Sequence, residues 1–137
     1  LREAGLPIRE DWCVLHPIPS ESEKGREFLD WTRQVFCDSA EKPDGVVCMG
    51  DAEAYSLVAL LRDYGLRVPD DVAVTGCGNL DVVPNADSGI TTVDEDLAGQ
   101  SRRATELLLQ RIDEKKPPQS RIVMPPGQLL PRSSTPR

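Results

Sequence analysis

The 137-residue sequence is poor in features that mark several large classes of protein. Aromatic residues make up only 4% of the chain, histidine occurs once, and the four cysteines form no Cys-x-x-Cys pair. This spacing predicts neither a zinc site nor a disulfide framework. No apolar run approaches the roughly 20 residues of a membrane-spanning helix. A Gly-rich phosphate loop and a cluster of metal ligands are also missing from the sequence, so we expect no cofactor and no metal.

Basic residues are the second shortage. There are 16 of them against 23 acidic residues, which gives a formal net charge of -7. Because an acidic surface repels the phosphate backbone, this chain by itself is not expected to bind DNA. A hydrophobic fraction of 39% and a charged fraction of 28% are typical of a globular protein. Unpaired cysteines fit a reducing, cytoplasmic setting.

Short apolar runs that predict β-strands recur along the first half of the chain. They lie at residues 13–16, 45–49 and 71–75, and the last two read as strands covered on both faces. Amphipathic helices are predicted between them. This alternation indicates an α/β fold in three layers, with a parallel sheet between two layers of helices.

Local signals give the expected ends of these two helices. A capping box at residues 20–23 opens the first, which should end near Cys37. Asp51 is the expected N-cap of the second, and Gly65 is the expected left-handed residue just beyond its end.

The last third of the chain has a different pattern. A long helix is predicted from about Asp94 to Lys115, followed by a strand near residues 121–124 and an extended tail in which Pro131 permits only an edge or unpaired role. One face of the long helix carries five small or apolar residues: Leu97, Ser101, Ala104, Leu108 and Ile112.

Ligands of parallel α/β sheets bind beyond the carboxyl ends of the strands. Three loops are expected there, at residues 16–20, Gly50–Asp51 and 76–79. Asp51 and Asn79 are the polar candidates, although Asp51 as a helix cap and Asn79 as a turn residue are alternative explanations. Cys77 and His16 also fall at strand ends. A thiol–imidazole enzyme is therefore conceivable, but a buried cysteine and a surface histidine are the favoured interpretation.

Several segments together resemble the effector-binding region of the lactose-repressor (LacI/GalR) family. The most specific are Gly-Leu-Arg-Val-Pro-Asp-Asp-Val at residues 65–72 and Ile-Thr-Thr-Val at residues 90–93. Residues 43–51, 104–109 and 130–135 also match, in the order the family has them. The resemblance implies a periplasmic-binding-protein-like (type I) sensor domain and a bacterial transcriptional regulator, as a probable repressor, rather than an enzyme.

The resemblance also implies how the chain divides. Residues 1–89 would form the C-terminal lobe of the sensor, residues 90–117 would pack on a first lobe, and residues 118–137 would return as a strand and tail. Because the sequence opens on what looks like the last turn of a helix, we expect chain upstream of it. Operator DNA would be bound only by a headpiece that this chain lacks.

Two usual ligand positions of the family carry glycine here. Gly50 stands where an asparagine is common, and Gly78 where an aspartate is common. No aromatic residue occurs near Ser20, where the family often stacks one on its ligand. Asp51, Asn79, Gly50, Gly78 and Ser20 remain the candidate ligand-binding residues. The effector, a sugar or sugar-like molecule by resemblance, is expected to differ from an ordinary pyranoside or to bind weakly.

The resemblance places a homodimer interface on the helix after Asp51 and on the loop around residues 80–86. Our candidates there are Tyr55, Ala59, Val82 and Val83. A solute-binding protein of a transport system, which shares the fold, is the alternative. A basic helix-turn-helix upstream would favour the regulator, and a signal peptide would favour transport.

Overall fold

A computed structural model describes residues 5, 9–14, 23–80, 89–114 and 126–136 of the protein. Helices and strands follow one another in these ranges as α1 (Glu23–Arg33), β1 (Gly45–Val47), α2 (Asp51–Asp63), β2 (Ala73–Thr75), β3 (Thr92–Asp94), α3 (Leu97–Glu114) and β4 (Gln128–Leu130). A 3-10 turn spans Glu10–Trp12, and a π-helical turn at Gln34–Asp38 continues α1.

The two strands of the first half are parallel, as the sequence predicted. Gly45 of β1 pairs with Ala73 of β2 and Val47 pairs with Thr75, while Thr75 forms a further parallel bridge to Thr91. A parallel pair needs a crossover, and α2 supplies it. The α/β fold class is therefore confirmed.

Only the first half of the predicted strand at residues 13–16 lies within the described residues. Cys13 and Val14 lie in no strand, although the backbone of Cys13 is extended. Leu15 and His16 lie outside the described residues, as does the predicted capping box at residues 20–22.

The expectation that the strand at residues 45–49 is covered on both faces is wrong within the described chain. Val47 is 86% exposed and Met49 is 93% exposed. The apolar run is continuous, but only Val46 and Cys48 pack against the core, whereas Val47 and Met49 face the open groove beside β1. Apolar composition alone does not report whether both faces of a strand are covered.

The core joins α1, its π-helical continuation, α2 and β2. Phe28, Thr32 and Val35, which were predicted to share one helix face, are all buried. Phe36 stands edge-on to Trp31, with ring centroids 6.1 Å apart. Three of the six aromatic side chains, Phe28, Trp31 and Phe36, thus form one cluster. The π-helical turn ends at Asp38, within one residue of the predicted end near Cys37.

Helix α2 forms because apolar residues recur at helical spacing, and these residues are buried: Ala54, Leu57, Val58 and Leu61. Gly65 lies beyond its end with φ +80°, as predicted. Asp51 is not the N-cap. That position belongs to Gly50, in extended conformation, and Asp51 is the first helical residue, with its side chain turned into the protein.

The third region departs most from the prediction. Residues 92–94 form β3, which pairs antiparallel with β4 and was not predicted. Helix α3 therefore begins three residues later than expected, at Leu97. The predicted strand at residues 121–124 lies outside the described chain, and the strand that is observed, β4, ends just before Pro131.

Candidate functional site

The carboxyl ends of β1 and β2 meet, and we call their loops, residues 48–51 and 76–80, the rim. The backbone N–H of Asp51 donates to the carbonyl oxygen of Cys77 at 3.2 Å. The backbone N–H of Leu80 donates to the Asp51 carboxylate at 2.7 Å. The structure thus brings together two of the three loops that the sequence predicted to meet. The third, at residues 16–20 with Ser20, lies outside the described residues.

Asp51 is the most deeply buried charged group of the rim, with 2% of its surface exposed. One carboxylate oxygen accepts the Leu80 N–H, and the other has no hydrogen-bond partner in the part of the chain that is described. Burying a carboxylate is costly, but this one lies at the amino terminus of α2, where the helix dipole favours negative charge. Asp51 therefore fastens the loop after β2 to the start of α2. Its contact with an effector stays a prediction.

Gly76 makes the close approach of Asp51 possible. A Cβ at this position would lie only 3.1 Å from the Cα of Asp51 and 3.2 Å from a methyl group of Ile90. Gly78 has φ +109°, a conformation that side chains rarely adopt. The turn alone therefore explains the glycine at residue 78. The missing carboxylate there is still consistent with an unusual effector.

Gly50 has a neighbour that the sequence did not reveal. A Cβ at this position would lie 2.6 Å from a carboxylate oxygen of Glu53, so the glycine leaves room for that carboxylate. Glu53 also lines a groove of about 550 Å³ beside β1, whose walls are mainly apolar and include Trp12, Trp31 and Met49. Burial and the charge of Glu53 together raise the pKa of the Cys48 thiol to about 12. In the sequence, only the three-position spacing between Gly50 and Glu53 could have indicated that these two residues are neighbours.

Asn79 has both ends of its side-chain amide engaged within the chain. Its oxygen accepts from Arg132 at 2.7 Å, and its nitrogen donates to Asp94 at 3.1 Å. These partners allow only one orientation of the amide, because a guanidinium only donates and a carboxylate only accepts. Its backbone has φ +49°. The sequence placed Asn79 correctly at the rim but did not reveal these partners.

The last described residues are built into the sheet beside β2. Ser134 is 4% exposed, and its hydroxyl donates to the carbonyl of Val74 and accepts the N–H of Thr91. Its backbone carbonyl accepts the N–H of Val74 at 2.9 Å. The hydroxyl groups of Thr91 and Thr135 are 2.8 Å apart. Sequence reasoning used these residues only as part of the family resemblance and missed their structural role.

Cys77 is half-buried and has no disulfide partner in the described chain. Partial burial and the nearby carboxylates, Glu95 first among them, raise the pKa of its thiol. A reactive cysteine needs the opposite shift, because the thiolate is the nucleophile. His16 lies outside the described residues. The environment of Cys77 thus argues against the thiol-dependent enzyme.

Of the four predicted dimer residues, two lie within the described chain and two lie outside it. Tyr55 is 41% exposed and Ala59 is also exposed, so both lie on the outer face of α2. Val82 and Val83 are outside the described residues.

None of the described helices is both long and apolar enough to cross a membrane. Within the described ranges, no three His, Cys, Asp or Glu side chains cluster as metal ligands would.

Comparisons with known proteins agree on one family. The sequence model of the periplasmic binding protein-like domain matches residues 1–135. The HTH-type transcriptional repressor PurR of Vibrio parahaemolyticus is 31% identical over 120 residues, which are 85% of this chain and 33% of that protein. The chain spans about a third of the length of the curated relatives it matches.

Solved structures of the same kind superpose on the chain. A LacI-type transcription regulator from Bifidobacterium animalis matches with a TM-score of 0.73 and 29% identity, over 99% of this chain and 46% of that one. A LacI family regulator from Lactobacillus casei, with bound sucrose, matches with a TM-score of 0.64 and 26% identity, over 80% of this chain and 40% of that one. The chain therefore belongs to the family of periplasmic binding protein-like domains, in the form that LacI-type transcriptional regulators carry.

Proposed function

We propose that the chain is the effector-sensing and dimer-forming C-terminal region of a cytoplasmic transcriptional repressor, which binds a small molecule at the rim. The observation that carries the proposal is the junction of the two loops through Asp51, which gives the rim a defined shape. The match to repressors supports a regulator over a transport protein. In the proposed protein, operator DNA is bound by a separate headpiece.

The division into lobes is part of this proposal. Residues 1–89 form one lobe, and residues 118–137 return to it. Of the segment at residues 90–117, which was predicted to pack on another lobe, only α3 is proposed to do so, because Ile90 and Thr91 are buried beside β2. The exposed apolar side chains of α3 support the second point, since Leu108 and Ile112 are 58% and 62% exposed. Such a face is expected where a helix has a partner that lies outside the described residues.

The effector is a molecule that needs few charged acceptors from the rim. Both Gly50 and Gly78 lack a side chain, and the amide of Asn79 is already bonded to Arg132 and Asp94. Sucrose, which the Lactobacillus casei relative binds, is the reference compound. Isothermal titration of the intact protein with sucrose and common monosaccharides should give no binding tighter than about 1 mM. A sub-millimolar dissociation constant for any of them would overturn the unusual-effector hypothesis.

Dimerisation is proposed to use the outer face of α2 with Tyr55 and Ala59, together with Val82 and Val83. Tyr55→Asp and Val83→Asp should each shift the mass in light scattering towards the monomer, because a buried unpaired carboxylate is costly at an interface. Arg62→Glu is the matched control, since Arg62 is an exposed residue of the same helix. An unchanged mass in both aspartate variants would contradict the assignment.

A further inference from the structure

A chain of hydrogen bonds runs from the rim to the amino terminus of α3. Asn79 donates to one oxygen of the Asp94 carboxylate, and the other oxygen accepts the backbone N–H of Asp96 at 2.8 Å. Asp96 in turn is the N-cap of α3: its carboxylate accepts the N–H of Gly99 at 3.0 Å. From the loop after β2, three consecutive bonds therefore reach the first turn of a different helix.

The same loop is tied to α2 on its other side. Leu80, the residue after Asn79, donates its N–H to the buried carboxylate of Asp51, the first residue of α2. Arg132, from the segment after β4, holds the Asn79 amide oxygen and the Ile90 carbonyl with its two terminal nitrogens. Asn79 and Leu80 are thus the point at which the starts of α2 and α3 are joined.

Two residues in this chain of hydrogen bonds have an unusual backbone conformation. Asn79 and Asp96 both have φ +49°, and they are the two described residues other than glycine with positive φ. Such a conformation is unfavourable for most residues other than glycine, although asparagine and aspartate tolerate it better than most, and surrounding contacts help to hold it. Both residues lie in this chain of hydrogen bonds. The bonds therefore hold two unfavourable backbone conformations at once.

We propose that Asn79 is a positioning residue which couples the rim loop to the amino terminus of α3, rather than a group that contacts the effector. Movement of the rim loop changes the bond to Asp94, and through Asp94 and Asp96 it changes the stability of the first turn of α3. Only the use of this coupling in regulation rests on the proposed function. The coupling itself is a property of the folded chain.

A reciprocal exchange of the two side chains tests the coupling. Asn79→Asp alone keeps the acceptor for Arg132 but sets two carboxylates against each other. Asp94→Asn alone loses one of the two acceptors at that position, whichever way the amide turns. The double exchange restores every bond, because the amide at position 94 then donates to the carboxylate at position 79 and still accepts from Asp96.

Residue-resolved hydrogen exchange of the whole chain, followed by NMR, is the measurement. In each single variant, the amides of Gly99 and Gln100 should exchange about tenfold faster, the factor that loss of one hydrogen bond to a charged group corresponds to. The amides of Tyr64 and Val74, whose hydrogen bonds to Leu60 and Ser134 lie outside this chain of bonds, should be unchanged. The double exchange should return Gly99 and Gln100 to the wild-type rate.

Glu106→Gln is the control for the change of charge, because it removes one negative charge from α3 without touching these bonds. It should leave Gly99 and Gln100 unchanged. Equal acceleration of all amides in the single variants, absence of rescue in the double exchange, or unprotected Gly99 and Gln100 in the wild type would each overturn the proposal. None of these measurements uses an effector or DNA, so their failure would leave the proposed function standing.

Discussion

Helices α2 and α3 have the same kind of sequence pattern but different surroundings. In α2 the apolar face is buried, with Leu57 at 1% and Leu61 at 0% exposure. In α3 the apolar residues Leu108, Leu109 and Ile112 are all more than half exposed. Periodicity therefore predicts a helix and its apolar face, but it does not say whether the partner of that face belongs to the same stretch of chain.

Truncating one buried and one exposed apolar residue should give the largest difference between the helices. Leu61→Ala should lower the free energy of unfolding by about 2–5 kcal/mol, because it leaves a cavity in the core. Ile112→Ala, on α3, should change it by less than about 0.5 kcal/mol. Urea unfolding followed by circular dichroism measures both. Similar losses in the two variants would mean that the face of α3 is covered within this chain.

Asp51 offers the next largest effect, at the start of α2. Asp51→Ala should lower the free energy of unfolding by about 1–3 kcal/mol, because the N–H of Leu80 is left without its acceptor. Asp63→Ala is the control, since Asp63 is an exposed residue at the other end of the same helix. Equal stability of the two variants in urea would contradict the role of Asp51 in fastening the rim loop.

The end of α2 provides a smaller test. Gly65→Ala should cost about 1 kcal/mol, because φ +80° is unfavourable for a residue with a Cβ although nothing lies within 4 Å of that atom. In Gly45→Ala the new Cβ lies at ordinary contact distance from Ala73 and the backbone needs no left-handed conformation. Thermal unfolding should therefore separate the two variants, with Gly65→Ala the less stable.

The smallest effect concerns pH and the loop that leaves α2. Hydrogen bonds from Arg67 lower the pKa of the Asp71 carboxyl to about 2. A lowered pKa stabilises the fold above the ordinary pKa of aspartate, and the contribution is lost as the pH falls towards 2. The stability difference between wild type and Asp71→Asn should thus be smaller at pH 3 than at pH 6. Asp63→Asn, measured the same way, should lack this additional dependence. An Asp71→Asn difference that did not shrink would contradict the assignment.

The sequence predicted the fold best where the signal was local. Parallel pairing of the Val46 and Val74 strands, the buried face of α2 and the left-handed Gly65 are all confirmed. The signals for these features, an apolar run, a helical spacing and a glycine, each lie within a few positions, although the pairing itself joins residues 28 positions apart. The cap at Asp51 was predicted wrongly, because the helix already begins at Asp51, whose buried carboxylate accepts from the distant Leu80.

Contacts between distant residues could not be predicted from spacing. Arg132 and Asn79 are 53 positions apart, and Glu53 became visible as a neighbour of Gly50 only through the geometry of α2. The family resemblance implied that the chain returns as a strand after residue 118, but no local signal predicted the antiparallel pairing of β3 with β4. Ser20, Val82 and Val83 lie outside the described residues and remain predictions.

The late position of Ser134 in the chain has a consequence for folding during translation. Val74 receives its hydrogen-bond partners from a residue made 60 positions later. At about 5–20 residues per second, translation must proceed for roughly 3–12 s after Val74 is made before that partner exists. During this interval one side of β2 offers open backbone groups to any neighbouring strand, including that of another nascent chain.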